Sequence, residues 1–417
     1  MTTLDGIARR LGRLARGGSV AARTALPVDT NPVPADWTHV TKVDPEDDKQ
    51  LPLLYPLYLR HTDAVSVGGS ADVTARNTEE TFELLAPASV PAFHEPSGPR
   101  QVTRRTRERA DLLAIPEVLN GDVEALVGEL GAATEYVREE LVPDLLADEY
   151  PWLPAGVTDR LANAAASWLL AEAVFEAYVV QNPDSAAARE SGVSADDVLS
   201  PREAKRRAMA AERHLDSELV YLEYSGTYGG DEAAETLARM DDALSWSRLW
   251  YGGGLASREH AARMLDAGAD AVVVGDAFHR VAAEEFDVCE RAARDLDADT
   301  EPSDVAAWVT DHVAVADSNA AAYLATIPSV ADPERLADRY LTATVRAWLG
   351  LRGGADRERP VDGSATPRLD DLVGTGLVDG LSEADAALLA RCLGALLADV
   401  DGSPTLPTNH FALSLSG

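Results

Sequence analysis

The chain has 417 residues, 46% of them hydrophobic, enough for one large domain with a smaller companion or for two domains. Its net charge of −33 repels nucleic acid. Its two cysteines, Cys289 and Cys392, are too few for a disulfide scaffold and lack metal-ligand spacing, and no apolar run approaches the roughly 20 residues of a membrane span.

The acidic residues are spread along the chain rather than gathered in a tail. That argues against disorder and for adaptation to high salt, where screening removes much of the self-repulsion. A halophilic archaeal source is the expectation. The N-terminus lacks the apolar segment of a secretory signal, so a reduced, cytoplasmic setting is expected. The basic residues are almost all Arg; the lysines are Lys42, Lys49 and Lys205. Any lysine inside a motif is therefore informative.

Residues 1–36 read as a basic helix and a linker. Leu4, Ile7, Leu11 and Leu14 follow helical spacing, with Arg9, Arg10, Arg13 and Arg16 on the polar side. Over 4–24 this suggests contact with anionic headgroups, peripheral to the membrane. Docking on the protein's own acidic surface is the alternative. "PVDTNPVPAD", 27–36, is Pro-rich linker.

From residue 38 short β-rich runs alternate with helical patterns. The runs are "THVTKVDP" (38–45), "AVSVGGS" (64–70), "PAFHEPS" (91–97), "LLAIPEVLN" (112–120), "YVVQNPDS" (178–185), "LVYLEYSG" (219–226), "RLWYGGG" (248–254) and "AVVVGDA" (271–277). Alternating strands and helices predict an α/β fold with a parallel sheet. Eight such units match a TIM (β/α)8 barrel, with an open doubly wound sheet as the alternative. The third connection, "GPRQVTRRTRERA", is a poor apolar helix, whereas several helical patterns fill the long fourth connection. Beyond about residue 295 the rhythm stops. Segments 303–327, 333–351 and 382–400 read as helices, so 296–417 is expected to form a helical C-terminal appendage without a chemical motif of its own.

Chemistry gathers at the ends of the predicted strands. Glu223, flanked by Tyr221 and Ser225, suits hydrogen bonding to a polyol. Glycines after the seventh and eighth strands, Gly254 and Gly275, suit backbone approach to an anion; a tight loop alone is the alternative. Lys42 and Asp44 alternate onto one face of the first strand. There they offer a cation to phosphate and a carboxylate to Mg²⁺, unless they form a simple buried ion pair. Ser70 ends the second strand near the same mouth. A phosphorylated polyol toward strands six to eight and a metal-bound anion toward strands one and two would be the layout of a two-substrate transferase.

"HVTKVDP", "SVGGS", "NPDSAAAR", "YLEYSGTYG", "WYGGGLASREHA" and "ADAVVVG", in this order over roughly residues 37–290, closely resemble the geranylgeranylglyceryl phosphate synthase family, which includes the bacterial heptaprenylglyceryl phosphate synthases. The resemblance implies a TIM-barrel prenyltransferase domain over 37–295 with an irregular third helix. Its reaction would join the C3 hydroxyl of sn-glycerol 1-phosphate to geranylgeranyl diphosphate with Mg²⁺, the first ether bond of archaeal lipids. By matching positions, Lys42, Tyr221, Leu222, Glu223, Tyr224, Ser225, Gly226, Gly254, Gly275 and Asp276 would bind glycerol phosphate. Asp44 and Ser70 would hold Mg²⁺, and Glu223 would orient or deprotonate the hydroxyl. Asp276 departs from the Asn common in the family, and a carboxylate beside phosphate is unfavourable unless it points away. His94 and Glu95 line either the prenyl groove or the core. Asn182 and Asp184 read as a turn and helix cap, and Trp152, Trp168 and Tyr178 as core or tunnel wall. The terminal segments offer surfaces for membrane contact or a homo-oligomer.

Overall fold

In a parallel barrel each strand must bury both faces, one among the barrel's own side chains and one under helices. The computed structural model describes residues 29–69, 72–86, 88–356, 377, 380–399 and 406–415. The expected helix over 4–24 and Ser70 lie outside these residues. Among the described residues the β-rich runs close into one barrel. Its strands are β1 His39–Val43, β2 Ala64–Val67, β3 Ala92–His94, β4 Leu112–Val118, β5 Val174–Val180, β6 Leu219–Glu223, β7 Arg248–Gly252 and β8 Ala271–Val274. Neighbours are parallel throughout, and β1 pairs with β8 to close the ring. The barrel, not the open sheet, is correct. β5 begins at Val174, before the run expected from Tyr178, because no Gly or Pro separates it from the preceding helix.

The helices are α1 Tyr55–Leu59, α2 Ala75–Leu85, α3 Arg104–Arg109, α4 Glu129–Tyr136, α5 Val142–Glu149, α6 Ala155–Glu172, α7 Ala186–Ser191, α8 Pro201–Ala210, α9 Gly230–Asp241, α10 Arg258–Asp266, α11 Asp276–Asp295, α12 Pro302–His312, α13 Asn319–Thr326, α14 Pro333–Asp356 and α15 Glu383–Asp399. Local signals start several of them. Thr74 and Asn77 form a capping box for α2, as Ser200 and Glu203 do for α8, where Pro201 takes the first turn. The third connection holds a short 3₁₀ turn, Pro99–Gln101, and the six-residue α3, as its poor apolar pattern implied.

Apart from Glu176 on β5, the lower barrel interior is apolar. Val40, Phe93 and Trp250 fill it, and Trp37 packs on the last two rings at 6.1 and 6.2 Å between centroids. Side chains nearer the strands' C-terminal ends are polar, which places the chemistry at one mouth.

The C-terminal helices occur where the sequence predicts them, and they pack onto the barrel's outer shell. The physical reason is α1, which has only five residues and cannot cover the outer face of β1. Instead α13 supplies Tyr323, whose hydroxyl lies 2.7 Å from Thr41 Oγ1, and Thr326, 3.0 Å from His39 Nε2. The ring of Tyr340 on α14 meets Tyr58 edge-on at 5.1 Å. Glu285 of α11 ties the layers together, accepting from Leu53 N–H at 2.6 Å and Thr344 Oγ1 at 3.0 Å. Farther on, Leu51 N–H donates to the His410 carbonyl at 2.7 Å. One continuous apolar core runs from the barrel helices through α12–α15.

Candidate active site

Strand alternation decides which predicted residues meet. On β1, Lys42 points inward while Thr41 faces the outer helices. Lys42 Nζ lies 2.8 Å from Glu95 Oε1, just beyond β3. Glu95 also accepts from Ser66 Oγ at 2.7 Å and from the Tyr178 hydroxyl. Burial works against the Glu95 carboxylate, but Lys42, Tyr178 and Ser66 outweigh it and hold its pKa below the usual range. For Lys42, burial disfavours the ammonium, yet Glu95, Asp44 and Glu223 together raise its pKa.

On β6, Tyr221 and Glu223 point inward. Tyr221 stacks on Tyr178 with ring centroids 4.6 Å apart. Its hydroxyl occupies the space over Gly252, where an added Cβ would lie 1.8 Å away, so only glycine fits on β7 at that point. Glu223 Oε1 accepts from the Ser225 N–H at 2.7 Å. Burial raises the Glu223 pKa, against the opposing pull of Lys42 and that hydrogen bond. Leu222 and Tyr224, expected at the site, face the other way. Both pack in the outer core, as period-two alternation requires.

A cavity of about 1120 Å³ opens over this layer. Lys42, Asp44, Tyr221, Glu223, Ser225, Gly226, Gly254, Gly275 and Asp276 all line it. The turn after β7 needs its glycines: Gly253 and Gly254 have φ of +147° and +55°, and side chains there would strike Tyr224 and the Thr227–Tyr228 backbone. Away from this polar mouth, the cavity continues as an apolar branch lined by Val102, Leu113, Ile115, Val137, Ala166 and Leu169. Val102 comes from the third connection, and the others from β4 and the helices of the long fourth connection.

Asp44 faces the mouth beside Gly69. An added Cβ at Gly69 would sit 3.3 Å from Asp44 Oδ1 and 3.0 Å from Glu46 Oε1, so the two carboxylates converge over that glycine. Asp44 N–H donates to His279 Nε2 at 3.1 Å, and His279 Nδ1 contacts the Gln50 carbonyl at 3.0 Å. His279 is thus a neutral imidazole protonated on Nδ1, consistent with burial lowering its pKa. No group of three or more His, Cys, Asp or Glu residues positioned to hold a metal occurs among the described residues. Mg²⁺ needs only one or two protein carboxylates when phosphate oxygens and water complete its shell, and the Asp44–Glu46 pair fits that mode.

Of the remaining sequence candidates, Tyr178, Glu95, Asn182 and Asp184 line the cavity. Asn182 Oδ1 also accepts from Asp184 N–H at 3.1 Å, the expected turn. His94 faces outward against the Phe82 ring. Trp152 and Trp168 are neither core nor tunnel wall: they are 75% and 60% exposed. Sequence reasoning missed Glu46, Lys49, Ser66 and Arg280. The scarcity of lysine and the period of β2 were signals for Lys49 and Ser66.

Glu176, on β5 below Tyr178, is fully buried with no hydrogen-bond partner for either oxygen. Burial pushes its pKa well above the usual value, with Glu95 adding to the effect. The folded state therefore holds this proton over a pH range where the unfolded chain has released it, so stability falls as pH rises above the unfolded pKa. Glu176→Leu is expected to stabilise the fold by about 1–3 kcal/mol at neutral pH, by removing an unsatisfied buried group. Its thermal unfolding between pH 5 and 8 in constant KCl will show a shallower decline than wild type. An equal decline would place the proton elsewhere.

Comparison with known proteins agrees with this geometry. A geranylgeranylglyceryl phosphate synthase from Halobacterium salinarum is 34% identical over 270 residues, covering 64% of this chain and 98% of the relative. One from Methanoculleus marisnigri is 34% identical over 246 residues, covering 58% and 90%. Another, from Haloquadratum walsbyi, is 30% identical over 269 residues, covering 64% and 97%. The profile of the PcrB family matches residues 34–293, from just before β1 to near the end of α11. With its barrel, its strand-end residues and nearly the full length of these relatives contained in one stretch, the chain belongs to the PcrB family.

Proposed function

We propose that the protein is a prenyltransferase that forms the ether bond between the C3 hydroxyl of sn-glycerol 1-phosphate and geranylgeranyl diphosphate, the first ether step of archaeal membrane-lipid synthesis. One observation carries the reading: a single cavity joins a polar mouth, suited to anions, to an apolar branch, with the buried carboxylate Glu223 on the polar side. The names of the relatives supply the substrate class.

The residues suit the chemistry. The prenyl chain lies in the apolar branch, and the glycerol phosphate takes the glycine-rich side, at Gly226, Gly254 and the N-terminus of α11. Asp44 and Glu46, with Ser70 as the family resemblance implies, would hold Mg²⁺, and a bound Mg²⁺ would supply charge neutralisation for the leaving diphosphate. Glu223 orients the glycerol hydroxyl and accepts its proton as oxygen bonds to the first prenyl carbon and the carbon–diphosphate bond breaks. Its raised pKa makes it a better proton acceptor than an ordinary exposed carboxylate. The walls from Tyr178 to Leu169 keep water from the allylic carbon.

The enzyme works at the cytoplasmic membrane face. Trp152 and Trp168, exposed on and beside α6, are of the type that seats at a lipid headgroup boundary, and a membrane-soluble prenyl substrate favours such docking. Among the described residues no helix is long and apolar enough to cross a membrane.

The test is prenyl transfer in molar KCl with geranylgeranyl diphosphate supplied in liposomes. Ether product is expected from sn-glycerol 1-phosphate and not from its enantiomer, with loss on chelation of Mg²⁺ and reduced liposome co-sedimentation for Trp152→Ser/Trp168→Ser. A folded protein that binds both substrates without product would instead be a non-catalytic barrel for lipid precursors.

A further inference from the structure

Asp276 raises a physical problem. It is the first residue of the 20-residue α11, and Gly275 precedes it at the cap. The start of a long helix attracts anions, and this one faces the cavity, yet it carries a carboxylate where a phosphate would arrive. The structure answers with Lys49, from the loop after β1. Lys49 Nζ lies 2.9 Å from Asp276 Oδ1 and 3.9 Å from Asp44 Oδ2. Burial works against both charges, and the ion pair outweighs it: Asp276 is held below the usual carboxylate range and Lys49 above the usual amine range. The chain has three lysines, and two of them, Lys42 and Lys49, line this one cavity. Arg280, one turn into α11, lines it too.

We propose that Lys49 is a phosphate-binding residue for the polyol phosphate, held over the α11 N-terminus by Asp276. In the empty mouth Lys49 cancels the Asp276 charge. When the phosphate docks against the helix start, Lys49 donates to it while remaining beside Asp276, so the carboxylate becomes an anchor for the cation rather than a repellent for the ligand. The side chain is 33% exposed, which leaves it room to turn between the two oxygen sets. Its neighbour Asp44 keeps it from drifting out of the mouth. This inference rests on the glycerol-phosphate reading above and adds the residue that lets this chain tolerate an acid at position 276.

Calorimetric titration of sn-glycerol 1-phosphate, and separately of inorganic phosphate, in molar KCl tests it without turnover. Lys49→Ala is expected to weaken binding of both by about tenfold or more, since a charge-assisted donor is lost and a carboxylate is uncovered. Lys49→Arg retains most of the affinity. Asp276→Asn added to Lys49→Ala recovers much of the loss, because the repelling charge has gone. The Asp276→Asn single variant separates a ligand from a mask: if Lys49 only covers the carboxylate, Asp276→Asn and Asp276→Asn/Lys49→Ala bind phosphate alike, whereas direct donation leaves the double variant the weaker binder. In turnover, Lys49→Ala raises KM for the polyol phosphate and leaves kcat and KM for the prenyl diphosphate within about twofold. Unchanged binding in Lys49→Ala, with unchanged thermal unfolding, overturns the inference, as does a loss confined to the prenyl diphosphate. A wild-type protein that binds phosphate in a Lys49-dependent way but makes no ether overturns the synthase reading and leaves this one standing. Failure of wild type to bind either probe overturns both.

Discussion

Glu223→Gln is expected to lower kcat by about 10²–10⁴-fold while changing KM for either substrate little. The amide is close in shape to the carboxyl and can still accept the Ser225 N–H bond, which wild type makes at 2.7 Å. What it cannot do is accept the proton of the glycerol hydroxyl as the ether bond forms. Burial raises the Glu223 pKa, and only the unprotonated carboxylate can act as base. The wild-type rate therefore climbs as pH rises through that value, and this limb disappears in the variant. Rate and pH profile together separate a base from a group that merely shapes the mouth, which would change KM and keep the limb. A Glu223→Gln enzyme with near-normal kcat would sink the assignment.

Much of this site was legible because strands obey a period of two. Once β6 was placed, Tyr221 and Glu223 had to share a face, and so did Lys42 and Asp44. The same rule should have removed Leu222 and Tyr224, which matching against a family motif carried in as neighbours in sequence. Glycine runs marked the loops after β7 and β8 because few other residues accept such turns. Two kinds of feature stayed hidden. Partners from distant segments, such as Lys49 with Asp276 or Glu95 with Lys42, depend on barrel closure and on loop paths that local pattern does not encode. The packing of α13–α15 was hidden for the same reason. Their amphipathic faces showed that they bury something, but the shortness of α1, which exposes Thr41 and His39 to them, was visible only in three dimensions. Trp152 and Trp168 failed in the opposite direction, since large aromatics default to the interior and these two are exposed.

Glu95→Ala is expected to destabilise the fold by about 1–3 kcal/mol, because it leaves the part-exposed Lys42 ammonium without its hydrogen-bonded carboxylate. The lower end applies, because Asp44 and Glu223 also act on Lys42. The change also strips the Ser66 and Tyr178 hydroxyls of their acceptor. Removing both charges should cost far less. In Lys42→Met/Glu95→Leu the cation and its hydrogen-bonded carboxylate leave together, so a double-mutant cycle built on thermal unfolding will show a large coupling between the two positions. Acid should reveal the same pair. Glu95 is held below its unfolded pKa, so its contribution is present above that value and is lost as pH falls through the folded one. Wild type will lose stability on acidification more steeply than Glu95→Gln, which has no such proton to gain. Additive effects in the cycle, or parallel acid profiles, would mean that Lys42 is held by the mouth as a whole. In that case Glu95 would be only one of several interchangeable anions around Lys42.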